Sequence, residues 1–386
     1  MRPARKALPS NQILTFSPGI QPMSALEPIN FTRGVPANES FPEAELAEAA
    51  RKVLEKQAVA VLQYGPAAGL ASFRDWLAQW QGVSSDRVLV GNGSLELVEF
   101  LCIGLLSRGD LVYTESPSYD RAITLFRRNG MEVEGVPLQA DGPDIDALEK
   151  MLEQRVPKLF YVIPDFQNPS GATCSLAKRQ RLIELAEKYG FLLLEDAPYR
   201  LLRYRGKDEP TLYSLAPERV LHMSSFTKLI APGVRAGFMI GEPAKLAKIG
   251  KTAEDTYISP GYFAHGVTAE WCAEGKLGPQ IERLKKLYAP RLEATLAAID
   301  KHMPDAVATR PDGGFFLSVT LPEGTSTTAV RAAATKYNLN LADGLAFFPS
   351  GGGERFLRLP FCALTPEQLD EGIRRLALAA EDAGGA

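Results

Sequence analysis

Residues 159–196 read LFYVIPDFQNPSGATCSLAKRQRLIELAEKYGFLLLED. The stretch opens with a short apolar run, Leu159–Ile163, and closes with another, Phe191–Glu195. Between them, residues 175–189 have helix length and carry their apolar residues on one face. Run, amphipathic helix and run make a β-α-β unit, and strands this uniformly apolar are covered on both faces. The pattern extends outward in both directions. Val88–Val90, Leu111–Thr114 and Val133–Pro137 precede it, Val220–Ser224 and Ala236–Ile240 follow, and helix-length stretches lie near 94–107, 119–129 and 144–155. The expectation is an α/β fold with a mainly parallel, seven-stranded sheet. The last two runs are joined by about a dozen residues with no clear helix, so one of that pair is expected to run antiparallel.

Further out the texture changes. Pro18, Gly19, Pro22, Pro28, Gly34 and Pro36 break up the first 40 residues, which read as an irregular arm. A helix is expected from Pro42, with Glu43 and Glu45 in its first turn, then a loop at Tyr64–Gly69. A second helix, marked by Leu70, Phe73, Leu77 and Trp80, closes at Gly82. Beyond Gly241 comes a charged helix from about Gln280 to His302. Gly313-Gly314-Phe315-Phe316 leads into a strand, and a helix near 327–337, a strand Phe356–Phe361 and a helix from Pro366 follow. The expected division is an arm (1–40), a large domain (41–270) and a smaller α+β C-terminal domain (271–386).

The chain has 386 residues, 45% of them hydrophobic and 23% charged, which excludes a disordered, coiled-coil or collagen-like protein. Its 43 Lys and Arg against 46 Asp and Glu leave a net charge of −3, with no basic block to attract nucleic acid or an anionic membrane. Cys102, Cys174, Cys272 and Cys362 have neither metal-ligand nor redox spacing, and three scattered histidines make no metal site. Without a signal-peptide run or an apolar span of membrane length, the expected location is the cytoplasm.

Candidate chemistry sits where strands end. Lys228, in Ser224-Ser225-Phe226-Thr227-Lys228, either snorkels to solvent or is functional. Ser225, Thr227 and Arg235 around it could cradle a phosphate, and a lysine beside a phosphate site is what a pyridoxal phosphate Schiff base requires. Asp196 closes its strand as a cap or as the carboxylate that keeps a pyridinium nitrogen protonated, and Tyr199 lies three residues on. Asn168 belongs to a turn, Gln167-Asn168-Pro169-Ser170-Gly171, at another strand end. Gly91-Asn92-Gly93-Ser94 opens a helix whose amides could bind phosphate. A dinucleotide fingerprint would need glycine at Glu96, although Glu115 stands where a ribose-binding acid would. Tyr119 could stack on a flat ring or fill the core. Arg358 interrupts an apolar strand and so needs an anion, either an internal acid or a substrate carboxylate.

Taken in order, Tyr64, Gly93-Ser94, Pro117-Ser118-Tyr119, Asn168-Pro169-Ser170-Gly171, Asp196-Ala197-Pro198-Tyr199, Ser225-Phe226-Thr227-Lys228, Arg235 and Arg358 resemble the fold type I, class I/II pyridoxal phosphate aminotransferases. Within that family the chain is most similar to the α-aminoadipate and kynurenine aminotransferase subgroup. The resemblance implies pyridoxal 5'-phosphate as cofactor, held as a Schiff base on Lys228, and ping-pong amino transfer between an L-amino acid and a 2-oxo acid, with 2-oxoglutarate as one partner. It implies that Asp196 pairs with the pyridine nitrogen, that Asn168 and Tyr199 hold the phenolate oxygen, and that Tyr119 stacks on the ring. Gly93, Ser94, the Leu95 amide, Ser225, Thr227 and Arg235 would surround the phosphate. Arg358, helped by Asn168, would hold the substrate carboxylate. Tyr64 would reach the phosphate of a second subunit, making a homodimer with shared sites. Arg33 and Gly34, in the arm, would border the substrate.

Some positions depart from the family pattern. Leu95 replaces a common polar side chain, Asp165 stands where asparagine is common, and Arg33-Gly34 replaces paired glycines. Three other readings stay open: β-elimination or decarboxylation on the same cofactor, a nicotinamide-dependent dehydrogenase, and an effector-binding module similar to the catalytic half of MocR-type regulators.

Overall fold

All seven apolar runs become strands of one sheet. The computed structural model describes residues 27–384, so most of the irregular arm and the last two residues of the tail lie outside the described residues. In chain order the strands are β1 (Ile29–Phe31), β2 (Val88–Gly91), β3 (Leu111–Ser116), β4 (Glu132–Gln139), β5 (Gly142–Pro143), β6 (Leu159–Val162), β7 (Leu192–Asp196), β8 (Val220–Ser225), β9 (Gly237–Ile240), β10 (Val307–Ala308), β11 (Phe316–Thr320), β12 (Leu339–Leu341) and β13 (Phe356–Pro360).

The main sheet has the order β2-β9-β8-β7-β6-β3-β4-β5. The pairs β8·β7, β7·β6, β6·β3 and β3·β4 are parallel. β9 runs antiparallel to both β8 and β2, as the short connection before it requires. The sheet has one strand more than expected. β5, only two residues long, folds back antiparallel on β4 and is too short to show as an apolar run. β2, β3, β6, β7 and β8 therefore point the same way, and their carboxyl ends share one edge with the start of β9.

Helices Ser94–Leu105, Asp120–Arg128, Ile145–Gln154 and Leu176–Tyr189 lie close to the expected spans. Two long helices were not anticipated, Pro243–Tyr257 and Tyr262–Ala273, nor was the single turn Leu212–Leu215. The second long helix is buried on most of its circumference, from Tyr262 through His265–Ala269 to Trp271 and Cys272. A helix without a polar face has no periodicity to read.

The C-terminal part builds a separate antiparallel sheet, β10-β11-β13, with helices Leu277–His302, Thr327–Ala334 and Pro366–Gly384. The long helix Leu277–His302 joins two cores. Leu277, Leu284 and Tyr288 pack with the first helices, β2 and β9, whereas Leu292, Leu296 and Ile299 pack with β11 and β13. β1, in the segment read as irregular, pairs in parallel with β12 in a separate two-stranded sheet and so ties the arm to the C-terminal part. Among the described residues, no helix is long and apolar enough to cross a membrane.

Candidate active site

The glycine turn after β2 is built by backbone contacts. Asn92 N–H donates to Glu96 Oε2 at 2.7 Å, so the residue that spoils a dinucleotide fingerprint pins the turn instead. Gly93 has φ +101°, and a Cβ there would lie 2.5 Å from Arg235 Nη2. The Arg235 guanidinium lies against this turn and donates from Nη2 to the Asn92 carbonyl at 2.8 Å. A Cβ on Gly237, the first residue of β9, would come within 2.4 Å of Ser94 N, so the two backbones are in contact. Beside them the Ser225 hydroxyl donates to Thr227 Oγ1 at 2.7 Å and accepts from Thr227 N–H at 3.0 Å. Hydroxyls, a guanidinium and the amino end of helix Ser94–Leu105 thus meet at one point, an arrangement that could receive a phosphate. At Leu95 only the backbone amide can serve there.

Lys228 lies just past β8 and is half-buried. Its ammonium donates to the Gly34 carbonyl at 2.9 Å and sits 5.8 Å and 5.5 Å from the ring centres of Tyr199 and Phe315. Burial pulls its pKa down to about 8, and nearby Arg358 pushes the same way. Gly34 is needed for close approach, because a Cβ there would lie 2.1 Å from Phe316 Cζ.

Asp196 ends β7 and is 5% exposed. Its Oδ2 accepts from the Tyr161 hydroxyl at 2.7 Å, while its Oδ1 is buried without a hydrogen-bond partner among the described residues. Burial raises its pKa to about 6. A buried carboxylate oxygen with no donor costs free energy in the protein alone and fits a ligand that brings an N–H.

Arg358, on β13, is 9% exposed. Nη1 donates to Asn168 Oδ1 at 3.0 Å, Nη2 donates to the Thr32 carbonyl at 2.7 Å, and Nε is buried with no partner among the described residues. Its guanidinium lies 4.8 Å and 4.6 Å from the ring centres of Phe316 and Phe347. Among the described residues no Asp or Glu pairs with it, so the internal-acid reading fails and an anion is still wanted.

The Asn168 turn is held from behind. Asp165 is fully buried and pairs with Arg179 at 2.7 Å and Arg200 at 3.1 Å, which accounts for a charged residue where the resemblance expected asparagine. Gln167 donates from Nε2 to Glu115 Oε2 at 3.1 Å and accepts from Ser170 N–H at 2.9 Å. Glu115 also accepts from Ile163 N–H at 3.0 Å, and burial raises its pKa to about 8. It is occupied with the turn and does not line the cavity, so the structure offers no ribose-binding acid there.

These groups surround one cavity of about 450 Å³. It is lined by Gly93, Ser94, Leu95, Tyr119, Asn168, Asp196, Tyr199, Ser225, Thr227, Lys228, Arg235 and Arg358, with Arg33 and Gly34 from the arm. Tyr64 does not line it; it is 73% exposed on the surface of this chain. Sequence reasoning missed Thr32, Val35, Asp120, Arg121, Ile163, Pro198 and Phe316. Of these, Phe316 carried a signal in the Gly313-Gly314-Phe315-Phe316 motif, and Arg121 follows the Tyr119 already singled out. The cavity holds five cationic side chains (Arg33, Arg121, Lys228, Arg235, Arg358) and two acidic ones (Asp120, Asp196), which suits anionic ligands.

A lysine amine, a carboxylate short of an N–H donor and a phosphate receptor in one cavity fit pyridoxal 5'-phosphate. Fold and site together define a pyridoxal phosphate transferase of the α/β kind. The family model "Aminotransferase class I and II" matches residues 27–376. The chain is 36% identical over 371 residues to a 2-aminoadipate transaminase of Thermus thermophilus, covering 95% of this chain and 91% of that one. It is similar to a solved Thermus thermophilus α-aminoadipate aminotransferase complexed with N-(5'-phosphopyridoxyl)-L-leucine (TM-score 0.88, 35% identity, 92% of each chain). It is also similar to a solved Pyrococcus horikoshii kynurenine aminotransferase (TM-score 0.91, 31% identity, 93% of this chain and 92% of that one). The chain belongs to the class I and II aminotransferases. It is a pyridoxal phosphate-dependent enzyme that moves an amino group between an amino acid and a 2-oxo acid.

Proposed function

We propose that Lys228 and Arg358 are the two working ends of the site: Lys228 takes and returns the proton of the substrate α-carbon, and Arg358 holds the substrate α-carboxylate. The observation that carries this is a buried guanidinium, without an acid partner among the described residues, in the same cavity as a lysine of lowered pKa. When bound, pyridoxal phosphate supplies an aldehyde carbon for the amino group and a ring that accepts the electrons released at the α-carbon. The protein residues do the rest. Arg235, Ser94, Ser225, Thr227 and the amides of Gly93 and Leu95 would hold the phosphate. Tyr119 would cover a ring face, and Asp196, through Oδ1, would accept from the ring nitrogen. Tyr199 and Asn168 would hold the phenolic oxygen. A pKa near 8 leaves about a tenth of Lys228 as free amine at pH 7, against well under a thousandth for an ordinary lysine, and that share can act as base.

We infer a donor with a long side chain and 2-oxoglutarate as acceptor. The names of the relatives support the first, and the exposed Arg33 at the cavity wall supports the second by offering a cation to a distal carboxylate. We further infer a homodimer in which Tyr64 serves the phosphate of the second subunit. Exposed Val59, Leu62 and Tyr64 at the end of helix Glu43–Leu62 support a covering partner. Four buried, unpaired cysteines support the cytoplasm, and the two cores support the division into 1–40, 41–270 and 271–386.

The test is borohydride reduction of the holoenzyme followed by peptide mapping, with turnover assayed on a panel of amino donors against 2-oxoglutarate. A pyridoxyl group on Lys228 is expected, together with loss of turnover in a Lys228→Ala variant that stays folded. A pyridoxyl group on another lysine, or near-wild-type turnover in that variant, would overturn the assignment.

A further inference from the structure

We propose that Tyr161 is a positioning residue for the cofactor's ring nitrogen: its hydroxyl engages one oxygen of Asp196 and leaves the other turned toward the ligand. This rests on the reading that Asp196 meets that nitrogen.

The geometry follows from strand register. Tyr161 on β6 lies opposite Leu194 on β7, so Asp196, two residues further along, is its diagonal neighbour on the same face. That diagonal is within reach of a long aromatic side chain. The Tyr161 hydroxyl reaches Asp196 Oδ2 at 2.7 Å, while Oδ1 has no partner among the described residues. The tyrosine is wholly buried, and Phe126 packs edge-on against its ring, with centroids 5.9 Å apart and planes at 67°. A fixed donor on one oxygen opposes rotation of the carboxylate.

Other charged or titratable groups act on Asp196 from neighbouring elements: His222 on β8, Glu115 on β3, Tyr119 beyond β3 and Tyr199 beyond β7. Each is engaged elsewhere or acts only through space. His222 Nδ1 lies 2.8 Å from Glu195 Oε2, and Glu115 accepts from Ile163 and Gln167. Tyr161 is thus the direct donor. Burial holds its phenol well above the ordinary tyrosine range, so it keeps its proton at working pH. A hydrogen bond to the ionised carboxylate favours that form. Without it the carboxylate is more basic and draws the shared proton off the ring nitrogen. The proton stays within the pair, but the ring loses the positive charge that makes it an electron acceptor.

The test uses holoenzyme loaded with pyridoxal 5'-phosphate labelled with nitrogen-15 in the ring, read by NMR between pH 6 and 9. In Tyr161→Phe, which keeps ring and volume, the nitrogen resonance should move toward the neutral-pyridine position. kcat should fall about tenfold, as expected for one hydrogen bond to a charged group. A resonance identical to wild type at every pH would overturn the proposal. If Tyr161→Phe does not fold, replacement of Tyr161 by 3-fluorotyrosine gives a more acidic phenol and should move the resonance toward pyridinium; no movement would again overturn it. Asp196→Asn separates the two readings. If its resonance also matches wild type, the Asp196 assignment fails. If Asp196→Asn shifts the resonance and Tyr161→Phe does not, only the present inference fails.

Discussion

Removing the Arg358 guanidinium tests the carboxylate clamp most directly. The side chain is buried between two phenyl rings, its neighbours Asn168 and Thr32 offer only neutral acceptors, and Nε has no partner among the described residues. A planar guanidinium can give a carboxylate two parallel charge-assisted hydrogen bonds, each worth roughly 1.5–3 kcal/mol. Losing both removes about 3–6 kcal/mol. Water entering the cavity returns part of that, so Arg358→Ala is expected to lower kcat/KM by at least about 100-fold. The loss should fall mainly on KM, because the α-carboxylate is held alike before and during proton transfer. Arg358→Lys keeps the charge but not the fork and should fall between wild type and Arg358→Ala. The assay is steady-state kinetics on one amino donor and on its amide, which lacks the carboxylate. The variants should differ from wild type on the acid and converge with it on the amide. A loss below about tenfold on the acid, or an equal loss on the amide, would refute the clamp.

Gly34→Ala places a Cβ 2.1 Å from Phe316 Cζ, where ordinary contact begins near 3.4 Å, so strap or ring must give way by about 1.3 Å. Phe316 packs edge-on against Tyr199 and lies beneath Arg358, so the shift reaches the site; kcat/KM should fall about 100-fold with cofactor absorbance retained, and wild-type kinetics would contradict this. Lys228, with its pKa lowered to about 8, must lose a proton before its amine can attack the cofactor aldehyde. Stopped-flow reconstitution of apoenzyme should therefore speed up about tenfold per pH unit below 8 and level off above it; a flat profile from pH 6 to 8 would sink the argument. If sites are shared, a hybrid dimer of Lys228→Ala and Tyr64→Ala subunits has one site with both defects and one with neither. Co-refolding equal amounts of the two variants, each nearly inactive alone, should recover about a quarter of wild-type activity, and no recovery would argue against Tyr64 acting across the interface.

The parts legible in the sequence are those set by local pattern. Buried strands announce themselves as apolar runs, and polar residues at their carboxyl ends, such as Asp196 and Lys228, must face the common edge once the strands are parallel. The parts that were not legible depend on long-range contact or on missing contrast. Helix Tyr262–Ala273 is buried nearly all round and has no polar face to give it a period. β5 is two residues long. The Asp165 pairs with Arg179 and Arg200 span 14 and 35 residues, and the Tyr161 bond to Asp196 spans two strands. Thr32 and Val35 enter the cavity only because β1 docks on β12, a pairing across roughly 310 residues that no local signal foretells.

The antiparallel β9 also sets the timing of biosynthesis. Among the described residues β2 pairs with β9 alone, and the last residue of β9 is Ile240. The ribosome must therefore add about 150 residues after Gly91 before β2 has a partner, a wait on the order of 10–30 seconds at ordinary elongation rates. Until then the nascent chain carries a bare, hydrophobic edge. A fragment released before that point would leave the glycine turn without the backing of Gly237 and Arg235, so this corner of the cavity takes shape late, after most of the parallel strands have emerged.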